Sequence, residues 1–172
     1  PLLVFKDANL DYAVNTAAFG VFMHQGQICM AGTRAIVEAP VYEAFVEKLA
    51  AKARTLKVGD PHDPDTVIGP LIRSSQCPFI AERIAAARQQ GARVLCGGTY
   101  EGNFFQPTVI ADVTPDMAVF QEELFGPVIS VAKATDPDHA IQLANNSRYG
   151  LTSAVITNDL QLAMRCALEL ET

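Results

Sequence analysis

The sequence has no CxxC pair, and its four cysteines (Cys29, Cys77, Cys96, Cys166) keep no metal-ligand spacing with the three histidines His24, His62 and His139. Neither a metal site nor a disulfide framework is indicated, and a reducing, cytoplasmic setting fits best. A basic excess is also missing: 13 Lys and Arg stand against 19 Asp and Glu, a net charge of −6. That removes the electrostatic footprint of a nucleic-acid partner or an anionic membrane. No apolar run reaches the length of a membrane span. Gly97–Gly98 and Gly126–Pro127 lack the G-x-G-x-x-G spacing, so no dinucleotide phosphate cradle of that kind is present. Internal repeats, low-complexity tracts and an interdomain linker are absent as well. Because the chain begins with Pro1, the lack of a signal peptide excludes little.

What is present is ordinary for a soluble globular chain: 49% hydrophobic residues, 19% charged, and 172 residues, enough for one domain with a real core and short for two. Leu2–Phe5 is an apolar run fit for a buried strand. Asn9 offers a helix cap, and Leu10, Ala13, Val14, Ala17 and Val21 follow at helical spacing, with Phe19, Phe22 and Met23 on other faces. This predicts a buried helix that stops near Gly26. Thr33–Glu38 reads as the next strand. After Pro40, Val41, Phe45, Leu49, Ala53 and Leu56 form one helical stripe.

Residues 57–70 are rich in Gly, Pro and Asp and read as a loop, long enough to suggest a role beyond connection. Ser74 or Ser75 can cap a helix with Pro78 in its first turn and Gly91 at its end. Arg93–Cys96 reads as a strand, Gly97–Asn103 as a turn, Phe105–Val113 as extended chain and Val128–Ala132 as a strand. Pro137–Asn146 reads as a helix capped by Thr135 or Asp136, Ser153–Thr157 as a strand and Asp159–Leu170 as a last helix. Apolar strands alternating with amphipathic helices predict an α/β domain, a mostly parallel sheet flanked by helices on both faces.

The stretch from Gly20 to Arg34, GVFMHQGQICMAGTR, places Cys29 at the junction between helix and strand. A thiol in such a junction can be both exposed and held, whereas a free cysteine in mid-element is usually a small buried hydrophobe. Cys77, Cys96 and Cys166 fall within predicted elements and read as structural. A thiolate attacks carbonyl carbon readily, and backbone N–H groups around Cys29, with Arg34 as the nearest cation, could stabilise it. His24 lies five residues before Cys29 and reads as a helix-end residue. Without further information Glu122 and Glu123 are an exposed acidic pair, and Phe125-Gly126-Pro127 a packed turn.

HQGQIC, taken with EELFGPV at Glu122–Val128 about ninety residues later, resembles the aldehyde dehydrogenase superfamily, with its aromatic-aldehyde branch as one candidate. The resemblance implies that Cys29 is the nucleophile. It would attack an aldehyde to give a thiohemiacetal, pass hydride to NAD or NADP, and leave a thioester for water to cleave. It also implies that Glu123 binds the nicotinamide ribose, that Phe125 packs beside the nicotinamide, and that Gly26 and Gln27 support the loop. Ile28 and Met30 would line the substrate tunnel, favouring hydrophobic aldehydes. By the same match residues 1–172 are a single catalytic (substrate) domain fragment. The dinucleotide-binding domain, with its NAD-or-NADP selector, general-base glutamate and oxyanion asparagine, precedes Pro1, and the C-terminal end is absent too. Such a fragment is expected to be inactive alone and to come from a homo-oligomer acting on a small-molecule aldehyde, with no nucleic-acid or membrane partner. Two alternatives stay open: a cysteine hydrolase pairing Cys29 with His24, His62 or His139, and a non-catalytic α/β interaction module with Cys29 buried.

Overall fold

The computed structural model describes residues 1–172. Its strands are β1 (Leu2–Val4), β2 (Arg34–Glu38), β3 (Arg93–Cys96), β4 (Tyr100–Glu101), β5 (Phe104–Phe105), β6 (Thr108–Ala111), β7 (Val128–Ala134) and β8 (Ala154–Ile156). Six of them form one sheet in the order β3-β6-β7-β2-β1-β8, and β4 and β5 make a separate two-stranded hairpin. All neighbours in the large sheet are parallel except β3 and β6. Register is simple at the centre, where Ile36 of β2 stands beside Leu3 of β1 and Ala132 of β7.

The helices are α1 (Leu10–Phe22), α2 (Ala39–Arg54), α3 (Gln76–Gln89), α4 (Ala118–Gln121), α5 (Pro137–Asn145) and α6 (Leu160–Glu169). Side chains along a strand alternate between faces. Leu2, Val4, Ala35, Val37, Ile129 and Val131 therefore pack with α1 and α2 on one side. Leu3, Ile36, Ile110 and Ala132 pack with α3, α4 and α5 on the other. Both faces are covered, so β2 is buried at all five positions, as the apolar strand runs require.

Helix starts follow the expected chemistry in part. The Asn9 side chain accepts from the Tyr12 N–H (3.1 Å), and Asp136, not Thr135, accepts from the His139 N–H (2.9 Å). Ser75 sits before α3 but its hydroxyl makes no capping bond. Three features depart from the sequence expectation: β3 runs antiparallel at the sheet edge, the 97–103 turn carries the β4–β5 hairpin with Tyr100 stacked on Phe105 (5.8 Å), and α4 forms one extra turn. On α6, Leu160, Met164 and Leu168 recur every four residues and are 75, 55 and 83% exposed, so these 172 residues leave that apolar stripe uncovered. No helix is long and apolar enough to cross a membrane.

Candidate active site

The helix leading to Cys29 ends abruptly. After α1 the chain makes a single 3-10 turn in which His24 (φ 48°), Gln25 (φ 60°) and Gly26 (φ 69°) are all left-handed. Only glycine adopts that region freely. Position 26 has a second reason to be glycine: a Cβ there would run into the carbonyl of Gly126. The cysteine loop and the ELFGP corner thus touch backbone to backbone.

The long 57–72 segment holds this turn in place. The Gln25 amide is satisfied when its oxygen accepts from the Gly69 N–H and its nitrogen donates to the His24 carbonyl, both at 2.9 Å. Gln27 accepts from the Ile72 N–H at 3.0 Å. Beyond the turn, Ala31 N–H donates to the Ile28 carbonyl (3.0 Å), which leaves Cys29 and Met30 at the tip of a tight bend before β2. Neither of their N–H groups donates to a backbone carbonyl. Cys29 is exposed, whereas Cys77 and Cys166 are buried and Cys96 is half-buried. Burial pushes the thiols of Cys77, Cys96 and Cys166 up from the ordinary cysteine range.

At the facing corner the two adjacent glutamates part company. Glu122 is engaged by Arg83, whose Nε donates to it at 2.7 Å. Glu123 is exposed and its carboxylate has no ion-pair partner. Gln76 donates to the Leu124 carbonyl (2.6 Å), tying the corner to the start of α3. Phe125 is half-buried with a left-handed backbone (φ 47°).

Cys29 and Glu123 line one cleft of about 400 Å³, together with Thr33, Arg34, Phe120, Glu122 and the segment Ser147–Thr152. Pro1, Thr33 and Thr152, which directly precede or flank β1, β2 and β8, put the cleft at the amino ends of those strands. Of the other expected site residues, Met30 lines an adjacent hollow of about 180 Å³ with Gly20, Ala31 and Thr152. Ile28 is half-buried, and neither Ile28 nor Phe125 lines either hollow. Arg34 reaches the cleft, but its guanidinium is committed to three backbone carbonyls. No histidine lines the cleft: His24 faces another hollow beside Phe19 and Met23, His62 pairs with Asp60, and His139 with Thr135.

Sequence reading missed the Ser147–Thr152 wall. In open α/β sheets ligands usually sit at the carboxyl ends of strands, so a polar connection leading into the amino end of β8 carries no obvious signal. Its cues are Tyr149 and Leu151, two large side chains in a short loop; the Tyr149 hydroxyl lies 3.4 Å from the Glu123 backbone nitrogen.

Fold and cleft define an α/β domain that presents one thiol, faced by a free carboxylate, to a cleft of small-molecule size. The chain belongs to the aldehyde dehydrogenase family: the model described as "Aldehyde dehydrogenase family" matches residues 1–172. A benzaldehyde dehydrogenase of Bacillus subtilis is 44% identical over 170 residues, covering 99% of this chain and 35% of that protein. A vanillin dehydrogenase of Corynebacterium glutamicum is 44% identical over 171 residues, again covering 99% and 35%. The crystal structure of an NAD-dependent benzaldehyde dehydrogenase from Corynebacterium glutamicum superposes with a TM-score of 0.94 at 44% identity, over 100% of this chain and 38% of that one. The chain therefore spans about a third of the length of these relatives.

Proposed function

We propose that residues 1–172 are the thiol-bearing part of the catalytic domain of an NAD(P)-dependent aldehyde dehydrogenase whose substrate is an aromatic aldehyde. The observation that carries this reading is the shared cleft: an exposed Cys29 and an unpaired Glu123 line the same 400 Å³ space, with Gly26 packed on Gly126 between their two segments. The two relatives named for benzaldehyde and vanillin support the substrate class.

Cys29, as thiolate, attacks the aldehyde carbon and forms a C–S bond, and the electron pair of the carbonyl moves to oxygen. The unengaged N–H groups of Cys29 and Met30 are available to that oxygen. One residue of the cleft fits a dinucleotide's nicotinamide end: Glu123 can accept hydrogen bonds from ribose hydroxyls, whereas Phe125, which lines neither hollow, is given no contact with the ring. Bound there, NAD(P) supplies the hydride acceptor that no side chain provides. With that acceptor bound, the thiohemiacetal carbon would give up its hydride, Cys29 would hold the acyl group as a thioester, and attack by water would release the carboxylic acid and restore the thiol.

No carboxylate in the cleft is free to activate that water, because Glu122 is held by Arg83 and Glu123 is assigned to the ribose. The base, like the phosphate cradle, is therefore assigned to a dinucleotide-binding portion outside these residues, and the 172-residue chain alone should not turn over. Ile28 and Met30 flank the thiol in sequence, and of the two only Met30 lines a hollow beside the cleft, where it can border the aldehyde's approach. The full-length protein is expected to be a cytoplasmic homo-oligomer.

The test is cofactor reduction by the full-length protein with benzaldehyde or vanillin. Cys29→Ser should lower kcat by at least about a thousandfold. Retention of activity within about tenfold of the parent would remove Cys29 from the mechanism.

A further inference from the structure

Arg34 is the one basic side chain in the protein that is nine-tenths buried, and no carboxylate lies within ion-pair distance of it. Its charge is met otherwise. Nη2 donates to the Ala144 carbonyl at 2.8 Å, and Nη1 lies 3.4 Å from the carbonyls of both Leu143 and Asn146. These belong to the last turn of α5 and the residue after it, the negative end of the helix dipole. The guanidinium also lies over the Phe120 ring, 4.7 Å from its centroid.

A helix C-cap alone would not need this particular set of partners. Phe120 is three residues before Glu123, and Asn146 immediately precedes the Ser147–Thr152 wall. Gln121 Nε2 donates to the Pro115 carbonyl at 2.8 Å and also reaches the same Asn146 carbonyl at 3.3 Å, so both walls of the cleft are referred to one oxygen. Arg34 itself is five residues beyond Cys29 and borders the same cleft.

We propose that Arg34 is a positioning residue: by clamping α4 to the end of α5 it sets the separation between Glu123 and the Ser147–Thr152 wall, and with it the affinity for the ribose of the nicotinamide cofactor. This rests on the cofactor role given to Glu123 above.

The experiment is calorimetric NAD(P) binding and steady-state kinetics on the full-length protein, with Arg34→Lys, Gln121→Met and the double variant. Lysine keeps the charge and loses the planar fork. Arg34→Lys should weaken cofactor binding and raise cofactor KM by about tenfold, with kcat at saturating cofactor within about threefold. Alkylation of Cys29 without cofactor should keep its rate. Since both side chains act on one carbonyl, the double variant should be less impaired than the product of the two singles. A lower Tm with unchanged cofactor affinity in Arg34→Lys, or strictly multiplicative losses, would overturn the proposal. If the parent protein binds no NAD(P), the cofactor reading falls and this proposal with it; if it binds and Arg34→Lys binds equally well, only this proposal falls.

Discussion

Replacing Gly26 by alanine tests the backbone contact that joins the cysteine loop to the ELFGP corner. Two penalties add. At φ 69° a Cβ is opposed by its own backbone, which costs about 1 to 2 kcal/mol. The same Cβ would overlap the Gly126 carbonyl, and that carbonyl has little room to swing away because it accepts from the Val128 N–H at 2.8 Å. Over-packing at a rigid site adds roughly 1 to 3 kcal/mol. The total of about 2 to 5 kcal/mol corresponds to a Tm lower by about 4 to 20 °C in a domain of this size. Gly102→Ala is the control. Its φ is 55°, yet nothing lies within 4 Å of where the added methyl would sit, so it carries only the backbone penalty. Thermal and urea unfolding of both variants, followed by circular dichroism, measure the difference. If Gly26→Ala is no less stable than Gly102→Ala, the two segments are not in contact as described.

Other consequences can be checked in the same protein. Tyr42 is fully buried; its hydroxyl donates to the Val131 carbonyl (3.2 Å), which also accepts from the Val113 N–H, and accepts from the Asp112 N–H (2.6 Å), so Tyr42→Phe should cost about 1 to 3 kcal/mol by leaving the Asp112 N–H unpaired. Burial raises the Tyr42 phenol above its ordinary value, which means the folded state holds the proton more tightly than the unfolded one. Its stabilising contribution is therefore complete below the unfolded value of about 10 and declines as pH rises beyond it; Tyr42→Phe should flatten that decline in urea midpoints. A fall of equal steepness in the variant would assign it to other groups. Iodoacetamide should modify Cys29 first, with Cys77 and Cys166 reacting only on unfolding, as peptide mapping over time would show. Early modification of Cys77 or Cys166 would contradict their burial.

The sheet and its covering helices were readable because each obeys a local rule. Leu2–Val4 and Arg34–Glu38 are buried throughout since both faces are covered, and Asn9 and Asp136 cap helices whose apolar faces repeat clearly. What escaped depends on pairing at a distance. Four residues, Ala118–Gln121, hold no readable periodicity, and the turn they make rests on the Met117 carbonyl. The direction of β3 is set by its neighbour β6, with Arg93 reaching Asp112 and Glu43. Within the site, the resemblance picked out Cys29 and Glu123, which do line one cleft. It could not tell that Arg83 would take Glu122, nor that the loop beginning at Ser147 would close the opposite side, because both follow from which surfaces the folded chain brings together.

The cleft is assembled from distant stretches, so it has an order of appearance during protein synthesis. Cys29 is synthesised first, and Glu123 and Tyr149, which line the same cleft, are joined to the chain 94 and 120 residues later. At typical elongation rates of about 5 to 20 residues per second, that leaves the sulfur roughly 5 to 25 seconds as an ordinary thiol on a nascent chain. Any selective reactivity it has in the finished protein begins only when the second half of the domain arrives.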